Sequence, residues 1–145
     1  MKSKITNNLE DFKINIKIKL SILWSSVTFL YLYGDYFELY IPNKVSGIIN
    51  GTSILDNPLK LFLASLLLAI PAAMVCLSIL LKPLINKWLN IVSGTLFTSI
   101  MLLIAITSIK EWRAFYVFYA ILESAITSAI IWFAYNWPKQ PEINQ

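Results

Sequence analysis

Four long apolar runs, separated by three shorter polar breaks, dominate the pattern of hydrophobic and polar positions along the chain. The runs cover about residues 20–41, 59–81, 86–109 and 114–137. Each is at least as long as the stretch of about 20 mostly apolar residues with which a helix crosses roughly 30 Å of membrane hydrocarbon. The breaks lie at 42–58, 82–87 and 110–113. The first is rich in Pro, Gly, Asn and Asp, as loops are, whereas the other two are short turns of the kind that joins antiparallel helices.

Composition favours lipid, rather than water, as the solvent of these runs. Hydrophobic residues make up 57% of the 145 residues and charged residues only 14%, with a mean hydropathy of +0.65, whereas about a quarter of a soluble domain is charged. The pattern therefore predicts an all-α fold, in which one integral membrane domain, residues 1–145, forms a multi-pass, antiparallel four-helix bundle. Residues 1–19 are interpreted as a basic juxtamembrane segment and 138–145 as a polar tail.

The basic residues predict which side of the membrane carries the chain ends. Eight of the 12 Lys and Arg residues fall on the side of both termini: Lys2, Lys4, Lys13, Lys17, Lys19, Lys82, Lys87 and Lys139. The other four are Lys44, Lys60, Lys110 and Arg113. Because cytoplasmic loops carry an excess of Lys and Arg, we expect both termini in the cytoplasm and the protein in the cytoplasmic membrane. An aromatic belt near the span ends is predicted from Trp24, Trp88, Trp112 and Trp137.

The chain lacks the side chains on which most metal, haem and nucleophilic sites depend. It has no His and a single Cys, Cys76, which excludes an intrachain disulfide and any multi-cysteine metal site, as well as the commonest general base and metal ligand. We therefore predict no cofactor and no metal. The lysines lie between apolar runs and form no dense basic patch, which argues against a nucleic-acid partner.

Three acidic residues lie inside the apolar runs, although a central Asp costs about 2.5 to 3.5 kcal/mol to insert. Asp35 and Glu38 lie about 9 and 4.5 Å from the outer end of the first run at Ile41, at 1.5 Å per residue, where water and headgroups reach. Glu123 in the fourth run is the deepest, about 16 Å from Trp112. Acids within spans mark functional sites by default. The structural alternative is a neutral Glu123 that bonds a Thr, a Tyr or a backbone carbonyl and locks the helices together.

Helical periodicity places these acids on the same faces as tyrosine and threonine. One face of the first run carries Ser21, Trp24, Thr28, Tyr31, Asp35 and Glu38. One face of the fourth run carries Trp112, Tyr116, Tyr119, Glu123, Thr127, Ile130 and Ala134. We expect these faces to meet other helices and to form a ligand-binding site from Asp35, Glu123, Tyr31, Tyr116, Tyr119, Glu38 and Thr127.

The second and third runs are interpreted as scaffold. In the second, a ridge of small residues allows another helix to approach closely: Ser65, Ala69 and Ala73. Pro71 removes one helical hydrogen bond and should kink this span. The third run aligns six residues on one side, which are interpreted as packing positions: Asn86, Asn90, Ser93, Gly94, Phe97 and Met101. Asn90 is expected to bond a neighbouring carbonyl.

Several stretches resemble an uncharacterised family of small prokaryotic membrane proteins with four spans. They are "KLSILW" (19–24), "YLYGD" (31–35), "IPAAMVCLSILLK" (70–82), "NKWLNI" (86–91) and the last span with its glutamate. The resemblance covers most of the chain. It implies a four-helix integral membrane protein with no established activity, so no catalytic role is carried over from it.

Two functions from different classes follow from these features. The first is the binding or transport of a small cationic or amphipathic, lipid-like ligand in an outward-facing cavity lined by Asp35 and Glu123, because carboxylates and aromatic faces suit such a ligand. The alternative is a non-catalytic accessory subunit or homo-oligomeric partner in a membrane complex, in contact through the small-residue ridge and the Gly94–Thr98 pair. An enzyme acting on lipid or quinone is less favoured, because the acids and tyrosines lack a nucleophile motif, His or paired Cys.

Overall fold

The computed structural model describes residues 12–139, and every regular element in that range is a helix. The elements are α1 (Ile16–Glu38), α2 (Lys44–Ile49), α3 (Pro58–Leu80), α4 (Pro83–Thr107) and α5 (Ala114–Tyr135), with a short 3-10 helix, Glu111–Arg113, before α5. The all-α prediction is confirmed. The segment predicted as a loop between the first two runs contains the short helix α2, and most of residues 1–19 and 138–145 lies outside the described residues.

Caps and prolines, rather than hydropathy, decide where the long helices begin. The Asn15 side chain accepts a hydrogen bond from the Lys17 amide at 2.9 Å, so α1 begins at Ile16 and not at residue 20. The Asn57 side chain accepts from the Lys60 amide at 2.9 Å in the same way. Pro58 and Pro83 occupy the first turns of α3 and α4, where a missing amide proton costs nothing.

The four long helices pack as antiparallel neighbours. The main contacts of α1 are with α3 and α5, and those of α4 are with α5 and α3. Lys17 at the start of α1 donates to the carbonyl of Leu81 after the end of α3, at 2.6 Å. Lys87 near the start of α4 donates to the carbonyl of Tyr135 at the end of α5, at 2.9 Å. We call this end the turn end, and the opposite end, where α1 and α4 finish, the α2 end.

Three helical segments are long and apolar enough to cross a membrane: Pro58–Leu80, Pro83–Thr107 and Glu111–Tyr135. Their outward faces carry large apolar side chains, such as Phe62 and Phe118, both 62% exposed. These features indicate a membrane protein. Although α1 is 23 residues long, it is not among the three, because its two lysines, two acids, serines and threonine lower its hydropathy.

The hydrophobic core fills the turn end of the molecule. It consists of Leu20, Trp24, Val27, Met74, Phe97, Ile130 and Ala134. Trp24 has no exposed surface, and its indole Nε1 donates to Asn90 Oδ1 at 2.7 Å. The prediction that Trp24 belongs to an aromatic belt was therefore wrong. A tryptophan near the end of an apolar run suits a membrane surface, but here the polar atom that its indole needs lies on α4.

A buried chain of amides joins α1, α3 and α4 beside this core. Asn90 Nδ2 donates to the carbonyl of Asn86 at 2.8 Å and to Asn86 Oδ1 at 2.6 Å. The Asn86 side chain donates in turn to the carbonyl of Ser78 on α3. The predicted carbonyl partner of Asn90 is confirmed, as is the packing side of the third run, since all six of its residues are buried.

The two surfaces predicted for contact with partner chains differ in their positions. Gly94 is buried where α4 crosses α5, and the hydroxyls of Thr98 and Thr127 hydrogen-bond at 2.7 Å. The Gly94–Thr98 pair therefore serves contact within the chain, and its prediction as an outer surface was wrong. The small-residue ridge of α3, by contrast, is exposed along its length.

Packing around α3 changes at Pro71. Its buried residues, Pro71, Met74 and Ser78, all belong to the half near the turn end. Between Pro58 and Ile70 no residue of α3 is buried. Since a proline removes the hydrogen bond to the carbonyl four residues earlier, the helix is weakest where its two halves meet. The half near the α2 end leaves room beside the other helices, and this space holds the candidate site.

Candidate ligand cavity

A cavity of about 740 Å³ lies at the α2 end of the molecule and is lined by all four long helices. This volume falls within the range of roughly 300 to 1,000 Å³ that small-molecule sites occupy. The wall from α1 and α5 carries the polar side chains, among them Tyr31, Asp35 and Glu123. The wall from α3 is apolar, with Leu61, Ala64, Leu67 and Leu68. The wall from α4 is also almost entirely apolar, from Phe97 to Ile104.

Six of the seven residues predicted from the sequence for a ligand site line this one cavity: Tyr31, Asp35, Glu38, Tyr116, Tyr119 and Glu123. The seventh, Thr127, does not line it. Thr127 is fully buried, and its hydroxyl pairs with that of Thr98 and donates to the Glu123 carbonyl at 2.9 Å. Thr127 lies one helical turn beyond Glu123 on the same face of α5. At that level the face packs against α4 and no longer lines the cavity.

The deepest polar groups of the cavity are Glu123 and Tyr31. Glu123 is only 3% exposed, and within residues 12–139 its carboxyl group has no hydrogen-bonding partner. The Tyr31 hydroxyl is buried and also lacks a partner among the described residues. Buried polar groups in proteins are almost always hydrogen-bonded. The structural alternative for Glu123, a carboxyl bonded to a Thr, a Tyr or a carbonyl, therefore finds no support in these contacts.

Asp35 lies one helical turn from Tyr31 toward the α2 end. It lines the cavity, and within residues 12–139 it forms no ion pair. Gly34 beside it is buried, and a Cβ atom there would lie 3.8 Å from the Tyr116 ring and 3.9 Å from the Tyr119 ring. The two tyrosines of α5 therefore pack against α1 at the level of Asp35, at a distance that leaves room for a methyl group at position 34.

Glu38, at the mouth of the cavity, has the partners that the other two acids lack. Its Oε1 lies 2.7 Å from Lys44 Nζ and 3.4 Å from Arg113 Nη2. All three side chains line the cavity. The pairs join α1 to α2 and to the segment before α5, and the two cations exceed the single negative charge of Glu38 by one. The acids without an ion pair among the described residues are therefore the exposed Asp35 and the buried Glu123.

Phe97 forms the floor between cavity and core. It is 1% exposed, lines the cavity and lies against the Tyr31 ring, with centroids 5.8 Å apart. On its other side it meets the Trp24 ring edge-on at 6.1 Å. The cavity therefore ends at a rigid aromatic layer and does not continue toward the turn end.

Sequence reasoning missed the basic residues of the mouth. Lys44 and Arg113 were used only to orient the chain, although both are the cations nearest to the predicted acids along their connecting segments. A carboxylate close to the end of a span, followed within two turns by a lysine, was a usable signal for the Glu38–Lys44 pair. The contact with Arg113 spans 75 positions and could not be read from local spacing.

Residues 12–139 contain no group of three His, Cys, Asp or Glu side chains arranged to hold a metal ion. Two carboxyls, those of Asp35 and Glu123, and the buried Tyr31 hydroxyl lack a partner among the described residues, and they face a cavity whose α3 wall is apolar. This arrangement suits an organic molecule with a polar, positively charged part and an apolar part.

Comparison with known proteins assigns the chain to a family. A family model described as "Family of unknown function (DUF6326)" matches residues 8–144. The chain belongs to this family. The predicted resemblance to a family of unknown function is thereby confirmed. No curated protein and no solved structure matches this DUF6326 member.

Proposed function

We propose that this protein binds a small organic cation or a cationic amphiphile in the cavity at the α2 end. The observation that supports this proposal is that Asp35 and Glu123 line one cavity and have no cationic partner among residues 12–139. The aromatic rings of Tyr31, Tyr116 and Tyr119 line the same wall, and each ring face adds about 0.5 to 2 kcal/mol to the binding of a cation.

Charge complementarity favours a cation over an anion. The cavity lining carries three acids, Asp35, Glu38 and Glu123, against two bases, Lys44 and Arg113, which both pair with Glu38. An anion placed between Asp35 and Glu123 would meet two carboxyls, whose negative charge repels it. A positively charged nitrogen between Asp35 and Glu123 would satisfy both acids and bring a hydrogen-bond donor near the Tyr31 hydroxyl.

We further propose that α1 is a fourth membrane span, that both chain ends lie in the cytoplasm and that the cavity opens outward. The predicted excess of lysines on the side of the chain ends supports this orientation. The side-by-side packing of α1 with α3 and α5 supports its place in the same layer. Binding is the step that a transporter and a binding protein share, so it is the first property to measure.

The test replaces the two acids without changing their shape. Purified wild-type protein should bind a primary alkylammonium saturably, and Asp35→Asn with Glu123→Gln should weaken binding roughly tenfold to hundredfold for each lost charge-assisted hydrogen bond, at about 1.5 to 3 kcal/mol. Equilibrium dialysis in a nonionic detergent measures the dissociation constant directly.

A matched pair of exposed carboxyls provides the control. Asp56 and Glu111 lie at the same end of the molecule and are exposed, and neither lines the cavity. Asp56→Asn with Glu111→Gln should leave the affinity unchanged. Equal affinities in the wild type and in the Asp35/Glu123 variant would rule the proposal out, as would an equal loss in both double variants.

A further inference from the structure

The cavity is least enclosed between α3 and α4. These two helices contact each other less than any other neighbouring pair of long helices. Their contacts near the turn end are held by the two-residue connection Leu81–Lys82 and by the hydrogen bond from Asn86 to the Ser78 carbonyl. Toward the α2 end no such link joins them in the described chain. Two helices joined at one end and loosely packed at the other leave a gap in the side of the molecule.

The apolar residues beside this gap are themselves exposed. Leu61 is 56% exposed, Leu68 40% and Leu67 36%, although all three line the cavity. Their exposed surface shows that no other helix covers this stretch of α3, as expected at an opening beside it. In a bilayer this opening would face acyl chains, because it lies in the flank of two helices that are long and apolar enough to span the membrane.

We propose that the ligand is a single-chain amphiphile with a cationic amine head, taken sideways from the bilayer through the gap between α3 and α4. Its hydrocarbon chain lies along the leucine wall of α3, and its amine lies between Asp35 and Glu123. This inference rests on the proposed function and adds the ligand class and the route.

The division of the cavity between two kinds of wall supports this ligand class. The acids and tyrosines lie on α1 and α5, whereas α3 contributes only apolar lining residues. A compact, fully polar cation would leave the leucine wall without a partner. A long chain would cover this wall and exclude lipid from it, while the amine would remain within reach of the carboxyls on the opposite side.

A series of n-alkyltrimethylammonium probes, from tetramethylammonium to the dodecyl compound, tests the inference. Their charge does not titrate, so only chain length varies. The dissociation constant is calculated from the concentration of free aqueous probe, after subtraction of the probe that dodecylmaltoside micelles bind without protein. We expect binding to strengthen by up to roughly fourfold per methylene that leaves water. The increase should stop once the chain covers the leucine wall.

A substitution in the wall separates the chain site from the amine site. Ala64 lies on α3 within the cavity, whereas Ala72 is exposed on α3 outside it. Ala64→Trp should abolish the dependence on chain length and keep the affinity for tetramethylammonium. Ala72→Trp should change neither. Leu68→Gln, on the same wall, serves as the test variant if Ala64→Trp does not fold.

The outcomes distinguish this inference from the proposed function. If no probe of any length binds, the proposed function fails and the inference fails with it. If all probes bind equally, the cavity binds cations but does not take a membrane amphiphile. The same conclusion follows if Ala64→Trp and Leu68→Gln both keep the chain-length dependence of the wild type. Loss of long-chain binding alone in the wall variant supports the inference.

Discussion

At the scale of single residues, the three acids of the cavity differ in whether another side chain of the protein pairs with them, and not simply in their position along the chain. Glu38 is within 3.4 Å of two cations, so its role at the mouth is explained by contacts inside the chain. Glu123 is nearly as buried as the core residues, and no contact within residues 12–139 explains it. A buried carboxyl that the fold does not use is the kind of residue that a ligand or a proton uses.

Asn90 carries the clearest prediction about stability. It accepts from Trp24 Nε1 at 2.7 Å and donates to the Asn86 carbonyl at 2.8 Å. Asn90→Leu keeps the volume but leaves the buried Trp24 N–H without an acceptor. We expect the free energy of unfolding to fall by about 1 to 3 kcal/mol. The lower end applies if another group within the membrane accepts the hydrogen bond from the indole N–H instead. Denaturant titration in mixed micelles measures it.

The double variant identifies the cause of this loss. Trp24→Phe removes the donor, so Asn90→Leu should cost less in the Trp24→Phe background than in the wild type. Asn136→Ala is the control, because Asn136 is exposed and such changes usually stay within about 0.5 kcal/mol. Additive effects of Trp24→Phe and Asn90→Leu would show that the hydrogen bond is not the source.

At the scale of helices, hydrophobic periodicity predicted the inward faces better than the ends. The buried side of α4 was foreseen residue by residue, because six positions at helical spacing leave little choice of face. The beginning of α1 was missed because Asn15, a cap, lies outside the apolar run that defined the prediction. The short helix α2 was missed because a six-residue helix among Pro, Gly and Asn residues leaves no periodic signal.

Gly94 tests the closest approach between helices. A Cβ atom at this position would lie 2.8 Å from Ile131 Cγ1 and 3.4 Å from the Thr127 carbonyl oxygen. Gly94→Ala should therefore push α4 away from α5 and destabilise the protein by about 1 to 3 kcal/mol. Gly34→Ala should be tolerated, because its nearest side-chain neighbours are at 3.8 and 3.9 Å. Thermal unfolding of the purified variants in detergent compares the two.

A second-site change makes the Gly94 argument specific. Ile131→Ala removes the atom that the new methyl group would meet, so Gly94→Ala should cost less in that background than in the wild type. An unchanged penalty would place the conflict at the Thr127 backbone instead. A wild-type melting temperature for Gly94→Ala alone would contradict the close approach itself.

At the scale of the whole molecule, the sequence predicted which residues gather but not the shape of the space between them. Two polar faces on helices that pack together were enough to bring Tyr31, Asp35 and Glu123 to one cavity. The loose half of α3 was not predictable, because its leucines have the same pattern as those of a tightly packed span. The separation into a core at the turn end and a cavity at the α2 end depends on where Pro71 and the short connection Leu81–Lys82 hold α3.

Whether α1 crosses the membrane decides the orientation of the entire chain. It is 23 residues long, which gives roughly 34 Å at 1.5 Å per residue, and its buried residues run from Leu20 to Gly34. Packing over this length against two apolar neighbours supports the proposal that α1 is a fourth span. With four spans the residues at both ends of the described chain lie on the same side, whereas with three they lie on opposite sides.

Single cysteines introduced into a Cys76→Ser background measure this directly. Phe12, Asn50 and Lys139 are exposed and lie before α1, after α2 and after α5. In intact cells a membrane-impermeant maleimide should label Asn50→Cys. If the proposed orientation holds, with the lysine-rich side in the cytoplasm, it should label Phe12→Cys and Lys139→Cys only after lysis. Opposite labelling of Phe12→Cys and Lys139→Cys would show that α1 does not cross the membrane. Tyr31 and Asp35, which lie on α1, would then not line a cavity within the bilayer.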